Sequence, residues 1–166
     1  MDGSTDSLQH MSVWRGMVAG LVGGVIAAGA MSVVHKGLSR QHPPAEPNQD
    51  DATVKVADGV MRTFLRRPVP EEQKPLAGSV VHYAFGASVG AAYGGVAELM
   101  PRITKLAGVP FGLAVWLGAH VITVPALGLA EPPTRLPRSK EGLELVLHGV
   151  YGAVTEVVRR LTRRVV

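Results

Sequence analysis

Three histidines, His82, His120 and His148, lie inside long stretches without Asp, Glu, Lys or Arg or with few of them. Glu144 and Glu156 flank the last, and Glu144, His148, Gly152 and Glu156 recur every four residues, which puts them on one helical face. Imidazole titrates near neutral pH, so histidines beside carboxylates could sense or pass protons. Two histidines from different helices, most simply His82 and His148, could hold a b-type haem or a pigment. Histidine with glutamate could also ligate a metal ion. The plainer alternative is that each imidazole hydrogen-bonds a backbone carbonyl or a hydroxyl where two helices cross. That role is the expectation, with no resident metal or cofactor, because spacing along the chain fixes no distance between these side chains.

Catalytic patterns are missing. The sequence contains no phosphate-binding loop, no His-Glu-x-x-His and no Gly-x-Ser-x-Gly. Ser79 lies one turn from His82, but serine so placed usually bonds its own helix carbonyl. The absence of cysteine removes disulfides, thiolate metal sites and cysteine nucleophiles. The expectation is a protein that is not an enzyme.

Charge is segregated into blocks, and the elements between the blocks must position the polar residues. Gly16–Val34, Leu76–Ala97 and Leu106–Ala130 contain 19, 22 and 25 residues with no Asp, Glu, Lys or Arg. Crossing about 30 Å of hydrocarbon takes about 20 apolar residues. Gly142–Val158 is a shorter fourth candidate of 17 residues, with an uncharged centre of 11, Leu145–Thr155. It could instead lie in the interface, but glutamates near its ends can reach water, and spanning is the preferred reading. The sequence thus predicts an all-α bundle of four transmembrane spans, about residues 15–35, 76–99, 107–130 and 142–158, preceded by a polar tail over residues 1–12. Ala28-Gly29-Ala30 fits a small-residue cleavage site, but the acidic start and the length of the apolar run argue for an uncleaved first helix. Pro125 leaves the Val121 carbonyl without its usual donor and should kink the third span.

The first connection opens with the proline-rich Pro43–Pro47 and continues into an amphipathic helix at about residues 51–67. Ala57, Val60, Met61, Phe64 and Leu65 share one face and Lys55, Asp58, Arg62 and Arg66 the other, as in a helix lying at the bilayer surface. Pro68 and Pro70 end it. The third connection, Glu131–Lys140, should be stiff and extended because of Pro132, Pro133 and Pro137.

Glycine is abundant, at 20 residues. Gly16, Gly20 and Gly24 recur every four residues, and Gly78, Gly86, Gly90 and Gly94 follow the same period through His82. In lipid, helices associate where small residues let backbones touch. The stripes predict a close pairing of the first two spans, or of each with a symmetry mate. His82-x-x-Phe85-Gly86-Ala87 is echoed by His148-x-x-Tyr151-Gly152-Ala153, so an imidazole beside a glycine notch occurs twice. Arg159, Arg160, Arg163 and Arg164 concentrate the net charge of +4 at the C-terminus. Next to an apolar helix they suit a membrane-surface anchor better than nucleic acid, and their density places both termini on the cytoplasmic side.

Several runs together resemble the YagU-like family of bacterial inner-membrane proteins of unknown function. They are Gly16–Gly29, His82-Tyr83-Ala84-Phe85-Gly86, Ala92-Tyr93-Gly94, Val124–Leu129 with Pro132-Pro133, and His148 through Tyr151-Gly152 to Thr155-Glu156. Met1–His10 and Arg159–Arg164 lie outside the resemblance. It implies a multi-pass inner-membrane location and a loose link to acid stress, and supplies no catalytic residues. The expected role is a non-catalytic scaffold or accessory subunit, bound to another membrane protein or to itself. The alternatives are a small channel or proton-linked transporter using the histidines and glutamates, and a haem- or pigment-binding subunit.

Overall fold

A computed structural model describes residues 3–39, 50–135 and 137–166. The proline-rich Pro43–Pro47 lies outside the described residues. Among the described residues the chain is helical and contains no strand. The main helices are α1 (Gly3–Ser39), α2 (Ala52–Leu65), α3 (Lys74–Leu99), α4 (Val109–Val115), α5 (Val124–Ala126) and α6 (Arg138–Thr162). Among the described residues, two stretches are long and apolar enough to cross a membrane, Met11–Leu38 and Pro101–Ala126.

The first helix begins at Gly3, so most of the stretch read as a polar tail over residues 1–12 is helical and continuous with the apolar segment. α1 packs along both α3 and α6, α4 packs on α6, and α2 packs on α3. Backbone approach explains the α1–α3 contact. A Cβ added at Gly90 would come within 2.5 Å of the Gly20 carbonyl oxygen, and Cβ atoms at Gly16, Gly24 and Gly94 would strike the carbonyls of Gly94, Gly86 and Gly16. The pairing order, 16 with 94 and 24 with 86, makes the helices antiparallel. Ala19, Ala27 and Ala28 are fully buried on α1, completing a core of small residues. Gly78 departs from this seam. Its neighbours are Val54 and Thr53 of α2, so the lower end of the α3 stripe seats α2 instead of α1.

A second glycine seam joins α4 to α6. Added Cβ atoms at Gly108 and Gly112 would strike the carbonyls of Gly152 and His148, and one at Gly152 would strike Gly108. The chain reaches this seam through a 3-10 turn, Pro101–Gly108, that closes with Leu106, Ala107 and Gly108 all at positive φ. Gly108, at φ +78°, both takes the left-handed conformation and lies against the α6 backbone, two demands that only glycine meets together.

The third apolar segment is not one kinked α-helix. After α4 it widens into a π-helix over Trp116–Thr123 before returning to α at α5. The Val124 N–H donates to the Ala119 carbonyl and the Leu129 N–H to Val124, both five residues back. Pro125, without an N–H, is accommodated by this change of register. Gly128, at φ +68°, ends the segment.

α2 is built by local chemistry. Asp51 caps its N-terminus, accepting from the Thr53 and Val54 amides at 2.9 and 3.0 Å, and Arg66 ends it in the left-handed conformation. Asp58 then accepts the Val69 N–H at 2.8 Å, folding the Pro68-Val69-Pro70 segment back onto the helix. Arg62 and that amide hold the Asp58 carboxyl below its ordinary range. Lys74, between Asp50 and Glu71 at 2.8 and 2.7 Å, is held above its own. Val54 and Ala57 are buried against α3, whereas Val60, Phe64 and Leu65 of the same apolar face stay exposed.

Candidate functional sites in the helix bundle

The five polar residues singled out from the sequence fall in three separate places. His82 faces α1, where its Nε2 lies 3.2 Å from the Ala28 carbonyl oxygen, beside the Gly24–Gly86 crossing. The neighbouring Tyr151 of α6 donates its hydroxyl to the Gly86 carbonyl at 2.7 Å. This junction of α1, α3 and α6 is held by hydrogen bonds to backbone carbonyls, which α-helices can offer because each carbonyl oxygen has a second lone pair.

His120 and His148 meet at the α6 end of the π segment. Their ring centroids are 6.0 Å apart. His120 Nε2 lies 3.4 Å from Glu141 Oε1 across the two elements. His148 Nδ1 is 2.8 Å from the Glu144 carbonyl oxygen and 3.9 Å from Glu144 Oε2. Glu141 Oε2 and Trp116 Nε1 are buried without a hydrogen-bond partner among the described residues. His148 thus has His120 beside it and Glu141 and Glu144 around the pair, while His82 Nε2 lies at the Ala28 carbonyl. Among the described residues, no group of three or more His, Cys, Asp or Glu could hold a metal ion.

Glu156 belongs to a third site at the opposite end of α6. It is fully buried and accepts from Tyr93 Oη at 2.9 Å, from Arg159 Nε and Nη2 at 2.8 and 3.1 Å, and from Arg160 Nε. Glu98 of α3 accepts from Ser12 of α1 at 2.6 Å and from Arg163 Nε and Nη2 at 2.9 and 3.1 Å. Arg159 Nη1 reaches Glu98 at 3.5 Å and links the two carboxylates. A stacked pair, Tyr93 and Phe111 with centroids 4.0 Å apart, closes the cluster toward α4. Buried carboxylates persist only when charge and hydrogen bonds offset lost hydration, and these two share three guanidinium groups.

The cluster changes the reading of the C-terminal arginines. Arg159, Arg160 and Arg163 are bonded to Glu98 and Glu156 within the bundle and do not all point to the surface. From the sequence alone, no polar role falls to Glu98, Tyr93 or Ser12. The available signal was Glu98 itself, an acid at the end of an uncharged segment, opposite a dense arginine run on a segment of like direction.

A family model matches residues 31–157, described as a protein of unknown function, DUF1440. The chain belongs to the DUF1440 family. The match begins beyond the glycine stripe of α1 and ends before Arg159. In this DUF1440 chain it takes in Glu98, Glu156, Tyr93, His82, His120 and His148, but not Ser12 or the arginines that complete the ion cluster. No curated protein and no solved structure matches.

Proposed function

We propose that the protein is a small multi-pass membrane protein of four spans that acts as a non-catalytic scaffold or accessory subunit, in the manner of the YagU-like proteins it resembles. The carrying observation is the antiparallel glycine seam between α1 and α3. If Met11–Leu38 crosses the bilayer, α3, laid backbone to backbone along it, occupies the same depth. The Pro101–Ala126 segment and α6 share the second seam in the same way. Outward side chains on these helices include Leu21, Ile26, Val80, Phe85, Val96, Leu117, Ile122 and Val146, a surface suited to lipid.

The charged groups of α6 support this reading. Glu156 is paired inward, while Glu141 and Glu144 sit near the other end of the helix. With its apolar remainder exposed, α2 lies in the interface, its Phe64 and Leu65 in the acyl boundary and Arg62, Arg66 and Arg67 in water. The helices alternate in direction, so both termini share a side, which the arginine-rich C-terminus assigns to the cytoplasm of a bacterial inner membrane. Two backbone-tight seams and an internally paired ion cluster make a rigid body, the quality a scaffold needs. Its partner is another membrane protein or a second copy of the chain, with a link to acid stress carried only by the family resemblance. Affinity purification in mild detergent tests this. A stoichiometric membrane partner or a defined homo-oligomer is expected, and a monomer with neither would refute it.

A second reading is favoured by one observation, the buried Glu141 Oε2, without a hydrogen-bond partner among the described residues, near His120 and His148. That group could take up or pass a proton in a small transport protein. Proton flux in liposomes that is lost in both Glu141→Gln and His120→Ala would establish it, and flux equal to empty liposomes would remove it.

A further inference from the structure

We infer that the junction of the 101–108 turn with the C-terminal end of α6 is a binding site for the phosphate of an anionic membrane lipid. Arg160 anchors the site. Its Nε is bound to the buried Glu156 carboxylate and its Nη2 donates to the Thr104 carbonyl at 3.0 Å, yet the side chain is 53% exposed. Two of its five N–H groups are thus used to fix the guanidinium, and the other three make no hydrogen bond to the described residues. A planar donor fork held in place and facing out is the geometry that binds phosphate oxygens in pairs.

The surrounding charge has one sign. The Thr104 contact brings α6 beside the turn that carries Arg102 and Lys105, both exposed, and Arg164 is exposed one turn beyond Arg160. The two acids of α3 and α6 at this end, Glu98 and Glu156, are turned inward and saturated by Arg159, Arg163, Ser12 and Tyr93 together with Arg160. The apolar context separates a lipid from a nucleic acid. Leu106, 79% exposed, and Val165, 83% exposed, project from the same turn and helix end. Basic groups interleaved with bare apolar side chains suit the boundary between headgroups and acyl chains. A nucleic acid would have no use for the leucine and valine.

The inference rests on the membrane reading above. The test uses the full chain reconstituted in nanodiscs of phosphatidylcholine with an added fraction of phosphatidylglycerol, and reads retained lipid by native mass spectrometry after gentle release. Phosphatidylglycerol should be retained in preference to phosphatidylcholine. Each of Arg102→Gln, Lys105→Gln and Arg164→Gln, exposed positions outside the ion cluster, should reduce that preference roughly fivefold. Arg160→Lys, which keeps the charge and loses the fork, should reduce it with helicity unchanged. Incorporation with no lipid preference, or a preference untouched by the variants, overturns the site and leaves the membrane reading standing. Failure to incorporate overturns both. Competition by a short DNA duplex at equal concentration would assign the patch to nucleic acid and also overturn the proposal.

Discussion

The hydroxyl of Tyr93 on α3 donates a 2.9 Å hydrogen bond to the fully buried Glu156 carboxylate on α6. The same carboxylate holds Arg159 and Arg160, so one oxygen pair joins two helices and two guanidinium groups. Removing the carboxylate should cost far more than removing the phenol. Glu156→Gln leaves the buried Arg159 without its nearest counter-charge and should destabilise the bundle by about 3–5 kcal/mol. Tyr93→Phe loses one bond and should cost about 1 kcal/mol. Thermal unfolding in detergent reads both. A cycle with Arg159→Gln should show that Glu156→Gln costs less once Arg159 is gone, and additive losses would mean that the two side chains are not coupled.

Glycine substitutions should divide by position. Gly90→Val would drive a side chain into the Gly20 carbonyl and part α1 from α3, at a cost of about 1–3 kcal/mol or more. Gly149→Val meets nothing within 4 Å and should be tolerated. Equal melting temperatures for the two variants would contradict the seam.

The Asp58 clasp predicts an acid-labile α2. A carboxyl held below its ordinary value of 3.8 by Arg62 and the Val69 amide contributes stability that is fully present above that value and is lost as pH falls through the lower folded value. The hydrogen-exchange protection factor of the Val69 amide should therefore be flat above about pH 4 and fall below it. In Asp58→Asn the protection should be lower and independent of pH across that range. A native profile that stays flat to low pH would show that the carboxylate is not what holds the segment.

Much of the helical organisation is legible because it is local. The two faces of α2, Pro68 and Pro70 as a stop and the uncharged runs all act within a few residues, so α2 and the apolar helices can be placed from sequence. The four-residue period of Gly16, Gly20 and Gly24 likewise defines a face. What covers a face is not local. Gly78 follows the same period as Gly86, yet Val54 and Thr53 of α2 lie against it. The α4–α6 seam is hidden because Gly108 and Gly112 precede a change of helix type and their partner Gly152 lies forty residues on. Helical period puts Glu156 on the face of His148, but its partner Tyr93 comes from α3, far away in sequence. Pro125 signals a disturbance, but its form, a π-helix over Trp116–Thr123 before the proline, is not written in the residue types.

Because the chain has no cysteine, single cysteines can report its topology without background. Glu72→Cys, Lys105→Cys, Thr134→Cys and Val165→Cys place one thiol in each stretch between or beyond the proposed spans, to be labelled with a membrane-impermeant maleimide in intact cells and in inverted vesicles. Four spans require positions 105 and 165 to react from the cytoplasmic side and positions 72 and 134 from the other. Labelling of 72 and 105 from the same side would show that α3 does not cross and contradict the account.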